Sequence, residues 1–207
     1  MASTSSGYGF RAVNELNGTP YAGATRQFLI DPAGYGTNIY NGSLVALSTA
    51  GYLEIVTTVG SSSGNVFPAG VVGVFVGCSY VNAQGQVIYA QYYPTGYAAP
   101  TGTAITAYVI DDDRAVFQVQ ANGSLAQTAL GMNAILAVAQ STSTGSTTTG
   151  NSNTQISTGT AATSTFAFRI VGFVNMQGFS TIGDAYTDVL VKFNQGIHSY
   201  TNATGVA

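Results

Sequence analysis

Apolar and aromatic side chains recur along this chain in short runs of strand character, broken by turn residues. The densest run is VVGVFVGCSYV at 71–81, followed after Asn82-Ala83-Gln84-Gly85-Gln86 by VIYAQYY at 87–93. A short polar linker with a glycine, set between two β-branched and aromatic runs, predicts a hairpin with a five-residue loop. Strict alternation puts Val72, Val74, Val76, Cys78 and Tyr80 on one face, and Gly73, Phe75, Gly77 and Ser79 on the other. The glycine-bearing face is expected where another backbone comes close or where the sheet bends.

Further strands are predicted over 27–31, 44–47, 52–59, 103–110, 115–121, 134–139, 166–176 and 188–193. Asp111-Asp112-Asp113-Arg114 joins two of them as a second hairpin, and Pro94-Thr95-Gly96 and Pro100-Thr101-Gly102 mark turns. A Gly178–Asp184 turn region precedes the last strand. The one helix expected is short, 125–130, capped by Ser124 and stopped by Gly131. About ten short strands with turns throughout imply an all-β fold, an antiparallel sandwich or barrel. Residues 1–30 lack lasting periodicity apart from the strand beginning at 27. They read as an extended N-terminal arm with Phe10, Tyr21 and Phe28 as apolar anchors, spaced either for lying on another surface or for packing on their own domain. Residues 31–200 form the β-domain, and 201–207 a small polar tail. Within the domain, the Ser/Thr/Gly/Asn-rich segment 140–165 is expected to be a long exposed loop. No fixed-period repeat is present.

Composition changes the picture in one respect. Hydrophobic residues make up 45 % of the 207, enough for a core, but only 6 % are charged, against roughly 25 % in an average globular protein. Lys192 is the one lysine, and thirteen residues are tyrosine. Charges are depleted and tyrosine enriched at the centres of protein–protein interfaces, so this balance points to assembly with copies or partners ahead of the alternative, a secreted β-protein with a neutral surface. A net charge of −3 with five basic residues argues against nucleic-acid binding, which needs clustered Lys and Arg. No stretch approaches the roughly 20 apolar residues of a membrane-spanning helix. The opening MASTSSGYGF has neither a basic n-region nor an apolar h-region, so no cleaved signal peptide is expected.

Candidate chemistry is sparse. Asp111, Asp112 and Asp113 supply oxygens of the kind calcium takes, but they lack the spacing of a calcium loop and suit a solvated turn. Cys78 and His198, each unique, compose a nucleophilic dyad with Asp184 or Asp188 by residue type alone. Cys78 lies mid-strand as a buried thiol would, and His198 near the end of the chain suits a surface role. One His and one Cys exclude the usual zinc sets unless subunits share the metal. No catalytic residue, metal or cofactor is therefore expected. Sequons begin at Asn17, Asn41, Asn122 and Asn202, as chance allows in a chain rich in Asn, Ser and Thr. Tyr80, Tyr89, Tyr92 and Tyr93 form either a sugar-stacking platform or cross-strand packing pairs.

Gly9-Phe10-Arg11, Asn17-Gly18 and Tyr21 resemble the opening of a group of small structural virion proteins of marine tailed bacteriophages. Gly73-Val74-Phe75-Val76-Gly77-Cys78-Ser79-Tyr80, with Gly85 and Tyr89 after it, is similar to that group's central motif, as is Phe168-Arg169-Ile170 with Gly172. The resemblance runs from about residue 7 to 198 and leaves out 140–165. It implies a head decoration (cement) protein on the capsid exterior that reinforces capsomer junctions and has the major capsid protein as its partner. Phe10, Arg11, Tyr21 and Phe28 are the interface residues expected, with the arm lying on the shell and the domain forming a homo-oligomer, a trimer by the local symmetry of such shells. The alternative is a receptor- or glycan-binding β-module, a head fibre or tail-associated protein, which requires an exposed tyrosine platform.

Overall fold

The structure, a computed structural model, describes residues 4–61, 64–177 and 179–206. Outside them lie residues 1–3 of the expected arm, Ser62 and Ser63, Gly178 of the expected turn and Ala207 of the tail.

Eleven strands are present among the described residues, arranged as two antiparallel sheets. The first sheet runs β1 (Arg11–Glu15), β8 (Ala115–Gln120), β11 (Asp188–Phe193), β10 (Phe168–Phe173), β9 (Asn133–Ala134). The second runs β2 (Arg26–Ile30), β7 (Ile105–Ile110), β5 (Val71–Val81), β3 (Leu44–Leu47), β4 (Leu53–Ile55), with β6 (Val87–Ala90) added to the far half of β5. This is the all-β sandwich that the pattern of short strands implies. Among the described residues no helix is long and apolar enough to cross a membrane. The expected 125–130 helix shrinks to one 3-10 turn, Gln127–Ala129, without a side-chain cap. Ser124 instead donates its hydroxyl to the Gly183 carbonyl, 2.9 Å away.

Two apolar clusters flank the second sheet. Between the sheets, Phe117, Val119, Ile170, Val189 and Val191 meet Leu44, Ala46, Val71, Val74 and Ile110. The opposite face carries Ile30, Val45, Val72, Phe75, Cys78, Ile105 and Val109, packed with Ile39 and Tyr93 from the connecting segments. Strand β5 therefore contributes to both cores.

It does so by breaking its own alternation. Val45 pairs with Gly73 but Ala46 pairs with Val71, which leaves Val72 as an extra residue. Phe75 pairs with Val109 but Gly77 with Tyr108, which leaves Val76 extra. Each bulge places two consecutive residues on one face. Val74 and Val76 thus join the intersheet core, whereas Val72, Cys78 and Tyr80 join Phe75 on the other side. The single face expected for Val72, Val74, Val76, Cys78 and Tyr80 is corrected accordingly. The glycines make this possible. Gly73 has φ +141°, and a Cβ there would lie 1.9 Å from the Ile110 carbonyl oxygen.

The hairpin is built as its sequence predicts. The Asn82 N–H bonds to the Gln86 carbonyl at 2.8 Å, the Asn82 Oδ1 accepts from the Gln84 and Gln86 amides, and Gly85 takes φ +79°.

The N-terminal region is not an arm. Residues 11–15 are the edge of the first sheet and 26–30 the edge of the second, because each offers backbone groups that an adjacent strand satisfies. Segment 140–165 is not a free loop either. Ile156 bridges to Ala121 and Leu136, Asn151 to Asn41 and Ala161 to Asn133. Gln140 is buried: its Oε1 accepts from the Leu44 N–H at 2.9 Å, and its Nε2 donates to the Leu44 and Val56 carbonyls at 3.1 and 3.0 Å. One side-chain amide stands in for a strand, and small polar residues hold the segment by hydrogen bonds where apolar ones are scarce.

Gly73→Ala should cost roughly 2–5 kcal/mol, since it adds an overlap with backbone to an unfavourable φ. Gly85→Ala, whose added Cβ meets open space, should cost only about 1 kcal/mol. Urea denaturation of both variants compares them, and equal losses would contradict the close approach at Gly73.

Candidate functional site

The four residues expected at a partner surface do not form one patch. Phe10 is buried, its ring stacked on Phe168 at 5.1 Å and set edge-on to Phe117 at 6.3 Å. It belongs to the intersheet core and is unavailable to a partner. Tyr21 packs half-buried against that core and donates its hydroxyl to the Ala24 carbonyl. Phe28 packs half-buried on the opposite cluster. Only Arg11 is exposed, its guanidinium 5.8 Å from the centre of the Tyr8 ring. The stretch before it is tied down. The Ser6 N–H bonds to Gln120 Oε1 at 2.8 Å, and Gln120 Nε2 donates to the Thr4 carbonyl at 3.2 Å. The Tyr8 hydroxyl donates to Asp188 Oδ1 at 3.0 Å.

The residues of the conceivable dyad are scattered. His198 is buried, contrary to a surface role, with Nε2 3.0 Å from the Val72 carbonyl and Nδ1 accepting from the Tyr200 N–H at 3.2 Å. This pair of contacts fixes a neutral ring protonated on Nε2. Cys78 lies six residues further along β5, roughly 15–20 Å away at about 3.3 Å per residue. Its thiol faces the Tyr92 carbonyl at 3.6 Å, and burial pushes its pKa up to about 12. Asp188 is held by Tyr8, and Asp184 accepts from the Thr181 N–H at 2.8 Å. No nucleophile, base and orienter come together in these positions.

The acidic link is not the tip of the second hairpin expected, because it carries the chain from β7 in the second sheet to β8 in the first, and it is likewise committed to structure. Asp111 forms an ion pair with Arg26 at 2.8 Å and accepts from the Tyr200 hydroxyl at 2.7 Å. Asp112 accepts from the Arg114 N–H at 2.8 Å and so closes the turn. Among the described residues no group of three or more His, Cys, Asp or Glu is placed to hold a metal ion. Of the sequon asparagines, Asn41 spends its side-chain N–H on the Val76 carbonyl at 2.8 Å.

The tyrosines divide. Tyr93 is fully buried and donates to the Tyr97 carbonyl at 2.7 Å. Tyr80 packs on Tyr97 with ring centres 4.4 Å apart, and Tyr92 stacks on Tyr40 at 5.7 Å. Tyr89 stands 78 % exposed on the opposite face from Tyr80, because it pairs with Ser79. The four rings make no common platform.

What remains open is the part of the second sheet around Ser79. Leu29 pairs with Thr106, Thr106 with Ser79, and Ser79 with Tyr89, a row across four strands. Leu29 and Val87 are 49 % and 59 % exposed, and the row carries no charge. Sequence reasoning missed this surface. Its one local signal is the period of two in 87–90, with Val87 and Tyr89 facing solvent. No protein-family model matches the chain, and neither a curated protein nor a solved structure is significantly similar to it.

Two buried titratable groups give opposite pH dependences. Burial lowers the His198 pKa, partly offset by its bond to Val72 and by the nearby Asp113, Asp111 and Asp112. The unfolded chain therefore takes up a proton first. His198 should cost stability as pH falls below about 6.5, and His198→Gln should flatten that limb. Burial raises the Asp188 pKa, and the Tyr8 hydrogen bond only partly offsets it. Its contribution falls as pH rises above about 4, so Asp188→Asn should be no less stable than the parent near neutrality. Urea midpoints against pH check both signs. Cys78 should resist a thiol reagent in the native protein and react fully in denaturant, and prompt native labelling would contradict its burial.

Proposed function

We propose that this chain is a non-enzymatic structural protein of a bacteriophage virion that decorates the outside of the capsid and reinforces contacts between capsomers. The major capsid protein is its partner, and copies of the chain associate with one another. The observation that carries this reading is the surface: with 6 % charged residues overall, the molecule presents an uncharged sheet face with exposed Leu29, Val87 and Tyr89. Such a face loses little by desolvation when it is covered. A protein repeated many times over a shell gains from avidity, so each contact can be modest. The motifs resembling small phage virion proteins, Gly9-Phe10-Arg11 and the 73–80 segment, support the same reading from the sequence. Cys78, His198, Asp184 and Asp188 stand apart, which favours a non-enzymatic role. The division of Tyr80, Tyr89, Tyr92 and Tyr93 removes the platform that a glycan-binding module needs.

The role of the expected contact residues changes with their placement. Phe10 supports the fold, Tyr21 and Phe28 are partly open, and Arg11 is the one of the four that stands exposed to a shell. Purified protein cosedimented with undecorated phage heads is expected to bind saturably at a fixed ratio to the major capsid protein. Arg11→Ala should weaken binding at unchanged stability, whereas Phe10→Ala should lose roughly 3–5 kcal/mol of stability. Absence of saturable binding to heads would overturn the proposal.

A further inference from the structure

We infer that the free edge of β6 is the site at which two copies of this chain pair, antiparallel and about a twofold axis through Ile88. The inference rests on the self-association in the proposed function and not on the identity of the surface decorated.

The turn determines which backbone groups are free. The Asn82 N–H bonds to the Gln86 carbonyl, so this pair is hydrogen-bonded and the pairs beyond it alternate. Val81–Val87 is then a wide pair, Tyr80–Ile88 a bonded one, Ser79–Tyr89 wide and Cys78–Ala90 bonded. Ile88 and Ala90 direct their amides and carbonyls into β5, while Val87 and Tyr89 direct theirs outwards. Among the described residues no backbone bond from another segment reaches Val87 or Tyr89. The same two residues carry the exposed apolar side chains of the strand.

The other edges are blunted. Strand β1 carries Arg11 and Glu15, β2 carries Arg26 and β4 carries Glu54, charges of the kind that discourage strand addition. Strand β9 is already bonded in both directions to Ala161. Strand β6, VIYA, has no charge and no proline. Beyond it the Gln91 side-chain Nε2 donates to Asn151 Oδ1 at 2.7 Å and holds the 150–151 segment beside the strand, which limits the edge to a short ladder.

That ladder is self-complementary. Two outward residues set two apart let the N–H and C=O of Val87 meet the C=O and N–H of a second copy's Tyr89, and the converse, for four bonds. An uncharged edge brings no like charges together when identical strands meet, and it offers no charge pattern by which a charged foreign strand would be selected. Ile88 then faces its own copy as a non-hydrogen-bonded pair, with Cα atoms about 4.5 Å apart, within the range of a disulfide. An isologous contact of this kind closes on two copies and not three.

The test is a cysteine in the full chain, where Cys78 is shielded. Ile88→Cys under a mild thiol oxidant, with no phage heads present, should form disulfide-linked dimers at least about tenfold faster than Gln27→Cys on edge strand β2, because pairing raises the local thiol concentration. Adding Tyr89→Pro removes an outward N–H without breaking the hairpin and should return Ile88→Cys to the control rate. The inference is overturned if Ile88→Cys is no faster than the control, or if Tyr89→Pro leaves its rate unchanged. If Tyr89→Pro abolishes head binding while free Ile88→Cys never cross-links, the edge belongs to the shell and pairing of copies is again overturned. Rapid cross-linking together with absent head binding would remove the capsid reading and leave this inference standing.

Discussion

The contact between Gly73 and the Ile110 carbonyl sets the geometry on which the rest of the structure depends. Strand β5 is the longest in the fold, with neighbours on both edges and an apolar cluster on each face. A strand in that position must deliver side chains to two cores, and perfect alternation would serve them in one fixed order. The bulges at Val72–Gly73 and Val76–Gly77 change that order twice. The chain can make these bulges because glycine tolerates both the dihedral angle and the close approach. Because the two shifts cancel, Ser79 and Val81 return to the side of the sheet that Val71 occupies.

A second constraint is the shortage of charge. With few ionic groups, buried polar atoms must be satisfied by amides, hydroxyls and backbone. Gln140 bonds three backbone groups of the β3–β4 region, Asn41 reaches the Val76 carbonyl, and the Tyr40 hydroxyl donates to the Thr142 carbonyl at 2.9 Å. Gln140 and Tyr40 in this way help turn a Ser/Thr-rich segment without regular strands into part of the body. The same economy leaves an outer surface with little to repel a neighbour. A protein built to be covered gains from this, since desolvating hydroxyls and apolar groups costs less than desolvating charges. Tyr89, Val87 and Leu29 lie on this surface, whereas the buried His198 and Asp188 are enclosed by their own fold.

Most of the strands, their order along the chain, the five-residue hairpin turn and the lack of a clustered charge pattern are legible in the sequence, whereas β1 reads as part of an arm and the strand expected over 134–139 is only Asn133–Ala134. The legible features follow from local chemistry: β-branched and aromatic runs, turn residues and composition need no knowledge of distant neighbours. Tertiary structure alone decided the rest. Phe10 looks like a free aromatic in a turn-rich arm until Phe168, over 150 residues away, stacks on it. His198 lies close to the end of the chain yet inside the protein, because the Val72 carbonyl gives its ring a partner. The face of each residue in β5 rests on bulges that no period reveals, and the fate of 140–165 rests on backbone groups supplied by Leu44, Val56 and the residues bridged at Asn41, Ala121, Asn133 and Leu136. In each case the deciding partner is remote in sequence, and burial of an apolar ring or satisfaction of a backbone group became possible only once the sheets had closed.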